Sequence, residues 1–345
     1  LTEKYAKLLI TDTTRNWNGS ACWFAADRIT PLTDPTSADN VHMDALTFLA
    51  AGQSLVVNSV ANCLNMDWTG ATNTPTLNHG SFDLITYGSV TFIAGMIHTG
   101  VNRLRFLSST NITFTTGGVL SFDLQFYLNP ASSVTFQDNV NNGSQQLRLQ
   151  RGIIITNNKT ITCGQVLMDG VEGTIVTLGS SVINATSWSY TGSSYTLTAN
   201  TSTINVSGTG AFAGGNITTY NNINLNGTAH TVSGNFTCNT LATPPATTQT
   251  ITFTAGTAIT VADATLSGSA GHVHTLTSTG SWFITKTGGG TISTNYATIR
   301  YSQARPVKTF YARPPSTNGG GNTGWRFPNS NDNNVLEQML MAELL

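Results

Sequence analysis

Charge is what this chain has least of. Its 345 residues carry 15 Lys and Arg against 16 Asp and Glu, 9 % in all, where an ordinary domain carries about a quarter. The net charge is −1 and no Lys/Arg run occurs, so the electrostatic footprint of a DNA or RNA binder is missing. Between Glu172 and Asp263 there is no Asp, Glu, Lys or Arg at all. Cysteine is nearly as scarce. Cys22, Cys63, Cys163 and Cys238 stand far apart, which excludes the close CxxC pairs of zinc and redox sites. Cys63 and Cys163 lie inside apolar alternations, so the cysteines read as small buried hydrophobes rather than disulfide partners. No apolar run approaches the ~20 residues that span a bilayer. No charged segment followed by an apolar one marks a secretion signal near Leu1. Before residue 333 no amphipathic helical window exceeds two turns.

What remains is Thr, Ser, Asn and Gly set around short apolar alternations. Ser54–Asn58, Phe82–Thr86, Ser89–Ile93, Asn111–Thr115, Ser133–Phe136, Gly152–Thr156 and Thr160–Cys163 all have the period of two that turns one face inward. Val, Ile, Thr and Phe suit such half-buried strands, and the Gly and Asn between them suit corners where φ > 0 is needed. The charge-free middle shows self-similarity. Thr177–Thr186 resembles the stretch from Thr196 to Ser207, and Ile204 to Ile223 and Val206 to Leu225 repeat the same spacing of about 19 residues. Repeats of that length are solenoid coils, each too small to bury its own core.

These features predict an all-β chain, an elongated parallel β-helix-like solenoid. The expected organisation is an N-terminal cap or attachment segment over 1–45, the solenoid over 46–300 and a C-terminal cap over 301–327. A linker and a short helix follow over 328–345. The N-terminal segment concentrates turn signals around Trp17, Trp23 and Phe24, and solenoid ends need covering because open edges recruit other chains. Tandem β-sandwich domains are the rival fold, since they also use short alternating strands. In the terminal helix, capped by Asn333 or Asn334, Val335, Leu336, Met339, Leu340 and Leu344 form the candidate surface for docking on a partner.

Candidate sites are few. His272 and His274, two apart, are the weak candidates for a metal. Trp68, Trp188 and Trp282 are candidate carbohydrate-stacking platforms, with a place inside the coils as the plainer reading. Asp123 with Asp138, or Asp67 with Asp83, could meet on neighbouring coils as a glycosidase pair, and isolated Asp beside Asn and Gly is the ordinary turn residue. Arg305, Lys308, Arg313 and Arg326 form the one local charge asymmetry. No catalytic or cofactor-binding residue is assigned and no cofactor is expected.

Several stretches resemble a family of phage virion proteins of the tail and fibre type, related to secreted bacterial surface solenoids. They are Asn16-Trp17-Asn18-Gly19, the turn from Pro35 to Val41, the long run from Ala61 to Leu77, Tyr87–Phe92, Ser202–Gly210, Leu225–Val232 and the closing segment from Ser316 to Trp325. The resemblance implies a non-enzymatic structural component of a virion, an external appendage for assembly and host-surface adhesion. It implies capsid, portal or tail proteins as partners, a homo-oligomer with a trimer favoured, and a host-surface glycan as the ligand. A secreted bacterial adhesin and a polysaccharide-degrading tailspike are the alternatives.

Overall fold

The structure, a computed structural model, describes residues 1–327 apart from 20, 119, 171, 172, 193, 217 and 218. The expected helix after 333, with its docking residues, lies outside them. Every element among the described residues is a β-strand or a turn, with no helix. Contacts divide the chain into two units, Leu1–Ala185 with Ser189–Ser202, and Thr186–Trp188 with Thr203 onward.

The first unit winds over three faces. One ladder runs Thr2–Ala6, Asp39–His42, Met66–Asp67, Val90–Thr91, Ile112–Thr115, Ser133–Phe136, the second half of Gln146–Ile155, Thr174–Thr177 and Tyr195–Thr198, each parallel to the last. A second runs Ala61–Cys63, Leu84–Thr86, Arg103–Phe106, Asp123–Tyr127, then the first half of Gln146–Ile155. A third runs Thr14–Asn16, Ser54–Val56, Thr76–Asn78 and Ile97–Thr99. The second unit repeats the arrangement. Its longest ladders are Thr203–Val206 to Ser302–Arg305 and Ala211–Ala213 to Thr317–Asn318. Among the described residues of the first unit, only Trp23–Phe24, against Thr2–Ala6, makes an antiparallel strand pair. This parallel β-solenoid excludes the sandwich alternative, whose sheets are antiparallel.

Period-two sequence makes this architecture because inward residues then stack in columns. Ala61, Leu84, Leu104, Leu124 and Leu147 stand over one another, as do Phe106, Phe126 and Leu149. All are at most 3 % exposed, and each large side chain so buried contributes roughly 1.5–3 kcal/mol. Phe106 and Phe126 stack at 4.6 Å, with Phe114 edge-on beside them and Phe136 edge-on to Phe114. Outward residues pair along the stack. Asn224 donates to Asn205 at 2.8 Å, and Asn65 to Asn40 at 2.8 Å. At the corners, Asn111, Asn139, Asn158 and Asn235 each accept a backbone N–H from the following coil. The abundance of Asn thus has a role: it satisfies strand-end donors that would otherwise be orphaned.

The expected repeat is found with varied length. Ile204 pairs with Ile223 and Val206 with Leu225, the 19-residue spacing read from sequence. Elsewhere paired strands of successive coils stand from 15 residues apart, Phe310 with Trp325, to 40, Thr14 with Ser54. Residues 1–45 and 301–327 contribute strands to the ladders as well as covering material. Trp17 and Trp23 are fully buried and edge-packed at 4.9 Å, and Trp23 Nε1 donates to Trp17 O. Lys4 stands over Val41 in an inward position, where its ammonium is held by Asp39 at 3.2 Å and by the Thr33 and Asp34 carbonyls. Hydrogen bonds from Thr36 and the Lys4 charge hold the Asp39 carboxyl down to about 2, against its own burial.

Close coil approach fixes several glycines, Gly227 among them. A Cβ on Gly227 would lie 1.6 Å from the carbonyl oxygen of Gly208 on the coil before it. Gly227→Ala is expected to cost more than the roughly 1–3 kcal/mol typical of overpacking, because rigid backbone is what must move. A urea midpoint unchanged from wild type would contradict the close approach.

Candidate functional site

The residues singled out by sequence go to different places. Trp68, Trp188 and Trp282 are 0 %, 1 % and 0 % exposed. Trp68 stacks on Phe48, Trp188 packs against Tyr220 and donates to its hydroxyl, and Trp282 stacks on Phe253. None offers a ring face to a sugar, so the stacking-platform expectation is corrected in favour of core packing. The reason is the period of two, which points all three inward.

His272 and His274 do not form a pair. His274 begins a strand and is fully buried, with Nε2 at 3.0 Å from Thr247 O and Nδ1 near Thr243 Oγ1 and Leu266 O. His272 sits in a tight antiparallel bridge to Ser269, half-exposed. That bridge breaks the strand face the two-residue rule assumed. Among the described residues no group of three His, Cys, Asp or Glu converges on a common point. All four cysteines are free and buried, and burial pushes each thiol up to about 12. A thiol reagent at pH 8 is therefore expected to label none of the four in the folded protein and all four in urea. Stoichiometric labelling of the native chain would place a cysteine outside the core.

The acids paired by sequence are engaged separately. Asp83 accepts from Arg103 at 3.1 Å and from Arg105 at 3.4 Å. Asp138 accepts from Thr116 N, Thr116 Oγ1 and Gly117 N. Asp123 caps Gln146 N, and Asp67 closes an Asx turn on Thr69 N. In the basic cluster, Arg313 donates to Ser293 Oγ and Arg326 lies over the Tyr311 ring, while Arg305 and Lys308 are exposed.

Two features were not anticipated. The first is inside the first unit. His98 takes an inward position in the column of Leu55 and Leu77. With His79 it packs around Phe122, at ring distances of 5.1 and 4.0 Å, and His98 also meets Phe92. None of the four ring nitrogens has a hydrogen-bond partner. Burial pushes His79 down to about 3, helped by the repulsion of His98, and burial alone pushes His98 down to about 4.

The second is an open groove of about 310 Å³ in the first unit, where the second face turns into the first. It is lined by Leu107, Ser109, Tyr127, Leu128, Asn129 and Arg151, with Ser108 behind them. The ladder carries a bulge here: Phe126 pairs with Leu149, but Tyr127 pairs with Arg151, so Gln150 is skipped. Bulges re-aim a side chain. This one leaves Gln150 and Arg151 both facing outward, side by side. The Arg151 guanidinium lies 5.4 Å over the Tyr127 ring, and its Nε is buried without an acceptor. The other outward arginines of this region differ. Arg103, Arg105 and Arg148 all hold carboxylates. The signal was present in sequence as two successive polar residues, Gln150-Arg151, in an otherwise alternating run.

Compared with protein-family models, curated proteins and solved structures, the chain matches none.

Proposed function

We propose that the chain is a non-enzymatic structural component of a phage virion, an external appendage that serves assembly and host-surface adhesion, assembled as a homo-oligomer. The observation that carries this reading is the fate of its carboxylates. Asp39, Asp83, Asp138 and Asp169 are each tied to a cation or to backbone donors of a neighbouring coil, so they staple the scaffold instead of facing a cleft. A glycosidase needs two carboxyls across a substrate groove, and the Tyr127–Arg151 groove has none among its lining residues. The motif resemblance from Asn16 to Trp325 supplies the virion context.

The test is to purify particles from an infected culture and locate the chain by cryo-EM. Stoichiometric copies projecting from a head or tail support the reading. A chain found on uninfected cells and absent from particles would make it a bacterial surface adhesin. Release of reducing sugar from host polysaccharide by the purified chain would make it a depolymerase.

A further inference from the structure

We propose that the groove at the Tyr127–Arg151 corner binds a carboxylate-bearing sugar unit. The proposal deepens the adhesive reading above and rests on it for its biological sense. The chemistry comes from the lining. A guanidinium is a planar fork matched to a carboxylate, and that of Arg151 has no carboxylate partner among the described residues, with its Nε left without an acceptor. A single cation in the groove suits a monoanion; a phosphate monoester, with nearly two charges at neutral pH, calls for more.

The remaining groups suit a pyranose. Tyr127 is 38 % exposed, an uncommon state for a large ring in this chain, and it presents a flat apolar surface against which the C–H face of a sugar can lie. The half-buried Leu107 adds apolar surface, with Leu128 fully buried at the groove, while the exposed Ser109 hydroxyl and Asn129 amide stand where ring hydroxyls need partners. Few polar groups around an apolar surface is the usual make-up of a small-molecule site, and the volume lies at the small end of that range. The scaffold holds the site still. Leu128 N donates to Arg151 O at 3.0 Å and Asn129 N to Ser108 O at 2.8 Å, joining the three coils that form it. At Gly152 (φ +92°) a Cβ would lie 2.6 Å from Leu128 Cβ, so the corner closes only with glycine.

The experiment is calorimetric titration of the full chain with three acidic saccharides: oligogalacturonate, a hyaluronan tetrasaccharide and sialyllactose. At least one is expected to bind in the micromolar to millimolar range. Its methyl ester, which keeps the sugar and loses the charge, is expected to bind at least tenfold more weakly. Arg151→Gln and Tyr127→Ala are each expected to weaken binding at least tenfold with unchanged thermal unfolding, while Tyr127→Phe retains it. Binding of none of the three overturns the proposal. So does binding that is indifferent to Arg151→Gln, or inorganic phosphate competing at equal concentration, which would mark a bare anion site. Each of these outcomes leaves the virion reading standing, since that reading fails only if particles lack the chain.

Discussion

Acidification from pH 7 to pH 4 is expected to destabilise the first unit by roughly 6 kcal/mol, a change set mainly by two buried histidines. In the fold, His79 and His98 stay neutral until the pH approaches about 3 and about 4. In the unfolded chain the same rings take up protons below about pH 6.5. The unfolded state therefore binds more protons as pH falls through 6.5, and each histidine withdraws about 1.4 kcal/mol per pH unit. The loss levels off only below the folded-state values. Nothing charged offsets it: the rings meet Phe92 and Phe122, and their nitrogens have no partner. Carboxylates act in a different window. Asp39, held at about 2, loses its contribution between its ordinary value of 3.8 and 2, so the range from pH 6.5 to 4.5 isolates imidazole. His230 in the second unit is also lowered by burial and acts with the same sign there.

Urea midpoints at pH 7.0, 5.5 and 4.5 measure the effect. His98→Leu continues the Leu55–Leu77 column and should remove about half of the pH dependence while raising stability at pH 7, because two unsatisfied nitrogens leave the core. A wild-type midpoint that is flat from pH 7 to 4.5 would mean the rings are hydrated. In that case the packing around Phe122 is looser than the ring distances imply.

The period of two and the spacing of Ile204 to Ile223 were enough to read a parallel solenoid from sequence, and the structure has it. The local register was less legible. The repeat that sets Thr177 beside Thr196 is displaced by two residues: Thr177 pairs with Thr198, and Thr196 with Ile175. A two-residue slip leaves every side chain on the same face. In a stretch of alternating Thr, Leu and Ala, composition cannot separate the two alignments. Coil lengths vary for a related reason. Only the inward positions are constrained to stack, and corners absorb extra residues at little cost.

Site residues were legible only as far as orientation was. Trp68, Trp188 and Trp282 satisfied both the platform and the core reading until burial decided between them. The partnership of His79 and His98 is not legible in the sequence because it runs through Phe122 on another coil. Arg151 was passed over because a bulge is a pairing property, and the break in alternation at Gln150-Arg151 marks it only once the facing strand is known.

Trp282→Ala is the substitution expected to cost the most in the second unit, about 3–5 kcal/mol. The ring lies parallel to Phe253 at 3.8 Å and 9°, and its Nε1 donates to Arg300 O at 3.0 Å. It stands directly under Ser302, whose hydroxyl accepts from Trp325 Nε1. Truncation leaves a cavity the coils cannot collapse into, since the backbones above and below are fixed by ladder bonds. It also strips the Arg300 carbonyl of a donor. Trp282→Phe keeps the stack and loses the N–H, so it should fall between the two, with the missing hydrogen bond costing about 1 kcal/mol. The urea midpoint should drop with an unchanged slope, because the exposed area on unfolding stays nearly constant. The pair of variants also separates core from platform. A ring that served a sugar would leave the Ala variant as stable as wild type and weaken only saccharide binding. A core ring gives the reverse: lost stability, with binding at the Tyr127–Arg151 groove unaffected under conditions where the variant is folded.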